Sequence, residues 1–297
     1  WIGFTYNDQI MAAQGPDLRA IGVTKLDHPV SVDENIENRS GEGFSAIVVS
    51  VKDPDDLDTR AESEDIYRAT DDQWIGTRGY QKPDGSWQIA RAFIGHMKVA
   101  DEDGTIRDHQ EVFVVEIPED ITRPGPNGPL EGTESKYPAP PAGTVQRRLT
   151  YSDGCGNLVR STPDGSFLDF KSLADDGSMQ IFVMSPHSAA ERTELDNETR
   201  RAGEYRQVTR FPDSVRAPPR WLADGKHFVT VTSDKMVIVN VESGNWRRLA
   251  ECYVGTSAGL VISPDGLTVA FNRMIPVNDG SEETRMQIFV ADIVLPD

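Results

Sequence analysis

A short turn recurs along this chain between strand-like runs, and it constrains the fold more than any other feature. Asp-Gly follows proline at residues 83–85, 163–165 and 264–266, and follows alanine at 223–225. Proline presets φ, aspartate bonds its own backbone, and glycine accepts a positive φ. Each copy is therefore predicted to join two antiparallel strands.

The runs around these turns recur in a fixed order. In the clearest unit, a first strand ends near Arg160, and further strands follow at residues 166–171, 179–184 and 205–209. The distance from a fourth strand to the next first strand is 10 residues from Thr150 to Arg160 and 11 residues from Thr209 to Arg220. A near-constant spacing between each fourth strand and the next first strand, with loops of variable length between the other strands, is typical of four-stranded blades in a radial array.

We therefore predict an all-β fold, a single β-propeller domain of four-stranded antiparallel blades over residues 1–297. An unrelated β-sandwich with ordinary turns is the alternative. Residues 1–7 are interpreted as a second strand, 8–43 as an insertion, 44–51 as a third strand and 65–70 as a fourth. The predicted blade units are residues 1–70, 74–150, 157–209, 219–250 and 260–297.

Both end units lack strands in this interpretation. An open sheet edge leaves backbone groups unpaired. We therefore expect this chain to be the C-terminal portion of a propeller of about six or seven blades. An N-terminal segment or a second polypeptide would complete it.

Composition excludes some partners. The net charge is −18 and the isoelectric point is near 4.7, which argues against nucleic acid because phosphates require a basic surface. The longest apolar runs have the length of strands, so we expect no membrane insertion. Cys155 and Cys252 could pair only if neighbouring strand ends meet, and free thiols are the preferred interpretation.

Several segments resemble TolB-like bacterial propellers: SPDG followed by TVAFNR, then QIFVADI, and RQVT or RRLT before the next blade. WIGFTYND and EVFVVEIPED resemble an uncharacterised subgroup of that family. The subgroup is distantly similar to oligogalacturonate lyases, which are metal-dependent propellers that act on acidic sugars. The resemblance implies a periplasmic or extracellular location. A His-containing metal segment would precede Trp1, so we expect no cofactor within this chain and a divalent metal only through residues outside it.

Candidate ligand-binding residues come from alignment of the units on the turn glycine. The position five residues before it is occupied by Tyr80, Arg160, Arg220 and Val261. First strands line the channel of a propeller, so two arginines on adjacent blades could hold a carboxylate. The alternative, which the acidic composition favours, is that each arginine pairs with an acidic side chain of the channel. Trp221, beside Arg220, could stack on a sugar ring.

The segment 8–43 contains His28 and Arg39 near Asp33 and Glu34. A histidine with acidic neighbours could form a metal corner or an acid–base pair, and a chance histidine on a surface loop is the alternative. No nucleophile signature is present. Catalytic residues therefore remain unassigned, and it is open whether the protein is an enzyme.

Two functions fit these observations. The first is an exported binding protein that recognises a protein partner or an acidic glycan through the channel face. The second is a metal-dependent lyase or hydrolase acting on acidic oligosaccharides.

We also expect the loops 118–143 and 186–204 to lie on the face opposite segment 8–43.

Overall fold

In the part of the chain that the structure describes, five antiparallel sheets of three or four strands follow one another, and three of them have four strands; a further sheet is a two-stranded hairpin. The computed structural model describes residues 1–297 except 8, 15–17, 36–38, 134, 153, 188–204, 234, 252–258, 278–282 and 296–297. Sequential four-stranded antiparallel sheets are the blades of a propeller. The predicted all-β propeller fold is confirmed.

The first sheet has the order β1 (Ile2–Tyr6), β2 (Ala20–Val30) and β3 (Gly41–Ile47), with the short helix α1 (Gln9–Gln14) between β1 and β2. Ile21 and Val23 on the central strand β2 are fully buried. The first four residues of β2, from Ala20 to Val23, are all buried, so this part of the strand is covered on both faces, whereas the strand becomes exposed from Leu26 to Pro29.

The second sheet begins with β4 (Arg68–Trp74). A two-stranded hairpin, β5 (Tyr80–Gln81) and β6 (Trp87–Gln88), precedes its second strand. The sheet continues with β7 (Ala90–Ala100), β8 (Ile106–Glu116) and β9 (Val145–Arg148).

The third and fourth sheets follow the predicted order closely. The third sheet contains β10 (Gly156–Ser161), β11 (Leu168–Leu173), β12 (Met179–Met184) and β13 (Tyr205–Gln207). The fourth contains β14 (Arg220–Trp221), β15 (His227–Thr232), β16 (Lys235–Asn240) and β17 (Trp246–Glu251), and the fifth contains β18 (Leu260–Ile262), β19 (Thr268–Pro276) and β20 (Thr284–Asp292).

The recurrent turns form as their sequence predicts. The carboxylates of Asp84, Asp164 and Asp265 accept hydrogen bonds from the amide two residues later, at 2.9–3.0 Å. Gly165 has φ of 74°, a conformation that glycine adopts without a steric penalty.

One hydrogen bond identifies equivalent strands in different sheets. The amide after a fourth strand bonds a carbonyl of the third strand: Leu149 N to Val112 O at 2.7 Å, and Val208 N to Ile181 O at 2.8 Å. In the first sheet the amide of Val48 bonds the carbonyl of Ile21 at 2.9 Å. β2 therefore corresponds to a third strand, β3 to a fourth and β1 to a second.

This equivalence corrects two parts of the sequence interpretation. Segment 8–43 is not an insertion, because it contains the central strand β2, and the run 44–51 is a fourth strand rather than a third. The run 65–70 was assigned to the first unit, yet β4 pairs with β7 and opens the second sheet. The boundary between the first two predicted units therefore moves to precede Arg68.

The position of the loop 118–143 also differs from the prediction. Lys25 Nζ donates to the carbonyl of Glu119 at 2.7 Å, and Tyr137 Oη donates to the carbonyl of Val51 at 2.5 Å. The loop therefore packs on the first sheet, close to β2, and the prediction of opposite faces is wrong for it. The prediction for the second loop falls mostly on residues 188–204, outside the described residues.

Apolar side chains between successive sheets form the core. Ile181 and Val183 on β12 pack with Phe228 of the fourth sheet, and Val229 and Met236 of that sheet pack in a cluster with the fifth. Side chains from the two facing sheets thus interdigitate, as in other stacked sheets.

One face of the fifth sheet differs from the others. Phe289 stacks on Phe271 toward the fourth sheet, with ring centroids 5.9 Å apart. The alternate residues Ile288 and Val290 are 76% and 65% exposed. Among the described residues, β20 pairs with β19 and β1 pairs with β2; completion of the ring by further strands stays a prediction.

The threonine of the RRLT and RQVT motifs has a structural role. Thr209 Oγ1 accepts from the amide of Ile181 at 2.9 Å and donates to Gln180 Oε1 at 2.8 Å. Thr150 makes the same pair of bonds with Val112 and Glu111. The motif therefore fastens the end of a fourth strand to the third strand.

Replacement of Thr209 by valine should lower the free energy of unfolding by about 1–3 kcal/mol, because it leaves the buried amide of Ile181 without its acceptor and removes one donor to the buried Gln180 carboxamide. Thr284, on the exposed strand β20, is the matched control, and its change to valine should alter stability by less than about 0.5 kcal/mol. Urea unfolding of both variants is the measurement. Equal stabilities would show that the threonine bonds contribute nothing.

Candidate functional site

Arg160 and Arg220 lie on β10 and β14, the first strands of neighbouring sheets. Both are half-buried. Arg220 Nε donates to the carbonyl of Leu260 on β18 at 2.6 Å, so its side chain crosses to the first strand of the fifth sheet. The Arg220 side chain therefore reaches the junction between the fourth and fifth sheets. That both arginines line the channel stays a prediction.

Asp169 stands opposite Arg160 in the register of β10 and β11. Its side chain is fully buried, and its Oδ1 accepts a hydrogen bond from the indole nitrogen of Trp221. Burial raises the pKa of Asp169 to about 7, against the opposing effects of the Trp221 hydrogen bond and the positive charges of Arg160 and Arg220. Desolvation disfavours the charged carboxylate, which is the cause of this shift.

The two guanidinium groups are close enough to affect each other. Burial, together with the positive charge of Arg220, lowers the pKa of Arg160 to about 10. Burial also lowers the pKa of Arg220, while Asp169 opposes that shift. At pH 7 the arginines remain charged, and the site concentrates positive charge.

Three buried polar atoms at this position have no hydrogen-bond partner among the described residues: Arg160 Nε, Arg220 Nη1 and Asp169 Oδ2. An unsatisfied buried donor or acceptor costs about 1–3 kcal/mol. The two arginine donors are chemically suited to an anionic ligand or to ordered water, and the Asp169 acceptor is suited to water or to a proton.

Two more charged residues extend the site. Asp71 on β4 has φ of 57°, and it lies where the pairing of β4 with β7 is irregular. Its negative charge acts on Arg160 and on the buried Lys171 of β11. We call Arg160, Arg220, Lys171, Asp71 and Asp169 the inner-strand cluster. The inner-strand cluster contains three cationic and two anionic side chains, whereas the whole chain has a net charge of −18.

Tyr80 is not part of this cluster. It is 1% exposed, its hydroxyl donates to Glu116 Oε1 at 2.6 Å, and it accepts from Arg147 Nη2 at 2.9 Å. Burial raises its pKa well above the usual range. The alignment that equated Tyr80 with Arg160 is wrong, because the turn at 83–85 belongs to the inserted hairpin and not to the first strand β4.

Trp221 has a supporting position. Its indole nitrogen bonds Asp169, and its ring packs edge-on against Phe228 with centroids 5.5 Å apart. The ring is thereby fixed beside the inner-strand cluster. Stacking of this ring on a sugar stays a prediction.

His28 and Arg39 lie apart from the inner-strand cluster. His28 is an exposed residue of β2, and Arg39 forms a 3.4 Å ion pair with Glu34 while its side chain stays 70% exposed. Within the described ranges, neither forms a hydrogen bond or ion pair with the cluster, and no group of three His, Cys, Asp or Glu side chains could hold a metal ion. Their roles in ligand binding stay predictions.

Cys155 is a buried free thiol. Burial raises its pKa to about 12, and the nearby Glu111 carboxylate adds to that shift. The thiol is therefore protonated and unreactive at neutral pH. Cys252 lies outside the described residues.

The helices of the described chain are too short to cross a bilayer: α1 spans six residues, against about 20 for a membrane span.

No protein-family model matches the chain. Among curated proteins it is 28% identical over 285 residues to YidR, an uncharacterised protein of Escherichia coli strain K12, with 91% of this chain covered. The chain spans 61% of the length of YidR.

Three solved structures illustrate its structural neighbours. TolB from Acinetobacter baumannii is 17% identical, with 93% of this chain and 48% of that chain covered and a TM-score of 0.44. A putative TolB from Agrobacterium tumefaciens is also 17% identical, with 76% and 64% covered and a TM-score of 0.37. An oligogalacturonate lyase from Vibrio parahaemolyticus is 14% identical, with 69% and 55% covered and a TM-score of 0.34. TolB-like propellers, which this chain's sequence motifs resemble, are thus among its structural neighbours, and so is an oligogalacturonate lyase, a group to which the resembled subgroup is distantly similar.

Proposed function

We propose that this propeller is a binding protein that holds a carboxylate group between Arg160 and Arg220. The carboxylate would belong to an acidic glycan or to an acidic segment of a protein partner. The observation that carries the proposal is the pair of buried, unpartnered donors, Arg160 Nε and Arg220 Nη1, on neighbouring first strands. Arginine donors match a carboxylate in geometry and charge.

The local charge supports the proposal. The inner-strand cluster is net positive within a strongly acidic chain, so it attracts an anion that the rest of the surface repels. Asp169 offsets only part of this positive charge, since burial favours its neutral form. The carboxylate of a bound ligand would pair with the excess positive charge.

Export to the periplasm or beyond is part of the proposal, and it is supported by the resemblance to TolB-like propellers. Detection of the full-length protein in the periplasmic or extracellular fraction is its test. The metal-dependent lyase or hydrolase stays a second possibility for the whole protein; no group of described residues favours it over binding.

Calorimetric titration with trigalacturonate and with a hexaglutamate peptide tests the binding function and separates its two ligand sources. Arg160→Gln and Arg220→Gln should each weaken binding of the recognised probe by about tenfold or more, because each removes a charge-assisted hydrogen bond of about 1.5–3 kcal/mol.

Arg123→Gln is the matched control, since the Arg123 side chain is 78% exposed and lies on the loop after β8. It should leave the affinity unchanged. Maltotriose and a hexaglutamine peptide control for the charge of the probes. Absence of binding by both acidic probes, or equal binding by the wild type and both inner variants, would overturn the proposal.

A further inference from the structure

Asp169 is the carboxylate whose charge acts on both Arg160 and Arg220. It has no exposed surface, and its two oxygens differ in environment. Oδ1 is held by the indole of Trp221, while Oδ2 is buried without a partner among the described residues. The ligand-free site thus contains an internal counter-ion with one oxygen available for a proton.

We propose that a carboxylate bound between Arg160 and Arg220 makes Asp169 take up one proton, so that Asp169 couples ligand binding to pH. The inference rests on the proposed function and names how that site is regulated. The ligand carboxylate stays ionised, one proton from solvent binds Asp169 Oδ2, and the two arginines keep their charges.

The physical reason is the proximity of like charges. Two carboxylates that share one pair of cations repel each other, and the one in the drier environment becomes protonated. Asp169 is that group, because it is fully buried and its carboxyl titrates near neutrality even without a ligand, with a pKa of about 7.

Among the groups that surround Asp169, we infer that Asp169 itself is the one that changes its protonation state near neutral pH. Arg160 faces it from β10, and Arg220 and Trp221 face it from β14. Asp71 acts on Arg160 from β4. The pKa of Arg160 stays at about 10, and Asp169 opposes the lowering of the pKa of Arg220, so both guanidinium groups keep their charge near pH 7. Lys171, two residues further along β11, has its pKa lowered by burial, and the charge of Asp71 opposes that shift. The tryptophan does not ionise in this range.

The coupling predicts a specific pH profile. Below about pH 6, Asp169 is already protonated in the free protein, so the affinity for an anionic probe should be constant. Above about pH 7, the affinity should fall by about tenfold per pH unit, because each binding event must then take up a proton. The probe carboxylates stay ionised throughout this range.

Asp169→Asn tests the inference with the same probes. The asparagine side-chain carbonyl can still accept the hydrogen bond from Trp221. The variant therefore keeps that contact but has no carboxyl group that can take up a proton. In the wild type, calorimetry in buffers of different ionisation enthalpy should show uptake of close to one proton per binding event at about pH 8. In the variant, uptake should vanish and the affinity should be independent of pH.

Measurement without a ligand provides a second readout. The indole N–H resonance of Trp221 should shift with pH in the wild type, since its hydrogen bond changes from a carboxylate to a neutral acid, and should stay constant in the variant. Absence of probe binding at every pH would overturn the binding function and the coupling together. Binding with no proton uptake, or an equal pH profile in Asp169→Asn, would overturn the coupling alone.

Discussion

Replacement of Arg148 by methionine should lower the free energy of unfolding by about 3–5 kcal/mol, the cost of breaking a buried ion pair by removing one partner. Arg148 is 2% exposed and Glu111 is fully buried. Arg148 Nη2 donates to Glu111 Oε1 at 3.0 Å, and its other nitrogens donate to the carbonyls of Ala61, Ser63 and Thr150. The variant leaves the buried Glu111 carboxylate without its cationic partner, although the Thr150 hydroxyl still donates to it, and it removes the donor to the carbonyls of the buried residues Ser63 and Thr150.

The fourth sheet provides the matched control for Arg148. Arg248 occupies the equivalent place in the RRLA motif, where it pairs with Glu251 at the surface with 55% and 69% of the side chains exposed. Arg248→Met should change stability by less than about 0.5 kcal/mol. A double variant, Arg148→Met with Glu111→Leu, should recover part of the loss. Equal chemical-denaturation midpoints for Arg148→Met and Arg248→Met would contradict this account.

Parts of the fold were predictable because local chemistry and tertiary structure agree there. The turns at 163–165 and 223–225 form as their residues require, and the strands around them match the prediction to within a few residues. The start of β4 falls in the run 65–70, which the sequence interpretation places in the first unit, and its sequence, RATDDQW, is polar and lacks the alternation that would mark it as a new first strand. The hairpin β5–β6 carries the same turn and was therefore mistaken for the start of a blade.

The candidate site was only partly predictable. Arg160 and Arg220 follow from the repeat, because a fixed offset from the turn glycine marks a first-strand position. Asp169 was missed: it alternates with Leu168 and Phe170, a pattern that normally indicates a solvent-facing side chain. In a propeller both faces of a blade are covered by neighbours, so the polar face of β11 lies in a junction, where a carboxylate acquires its unusual environment.

The isoleucines at equivalent places on two third strands should respond very differently to truncation. Ile181 lies opposite Lys171 on the third sheet, and Ile288 lies opposite Asn272 on the fifth. Ile181 is fully buried against the fourth sheet, whereas Ile288 is 76% exposed. Burial, and not strand position or residue type, is the variable that separates them.

Ile181→Ala should therefore lower the free energy of unfolding by about 2–5 kcal/mol, the sum of lost apolar transfer and the cavity left behind. Ile288→Ala should change it by less than about 0.5 kcal/mol in this chain, because water already contacts that side chain. The two variants share residue type, substitution and strand, so any difference in intrinsic β-propensity cancels between them. Thermal and urea unfolding of both variants are the measurements, and a loss of 2 kcal/mol or more for Ile288→Ala would show that its face is covered in solution.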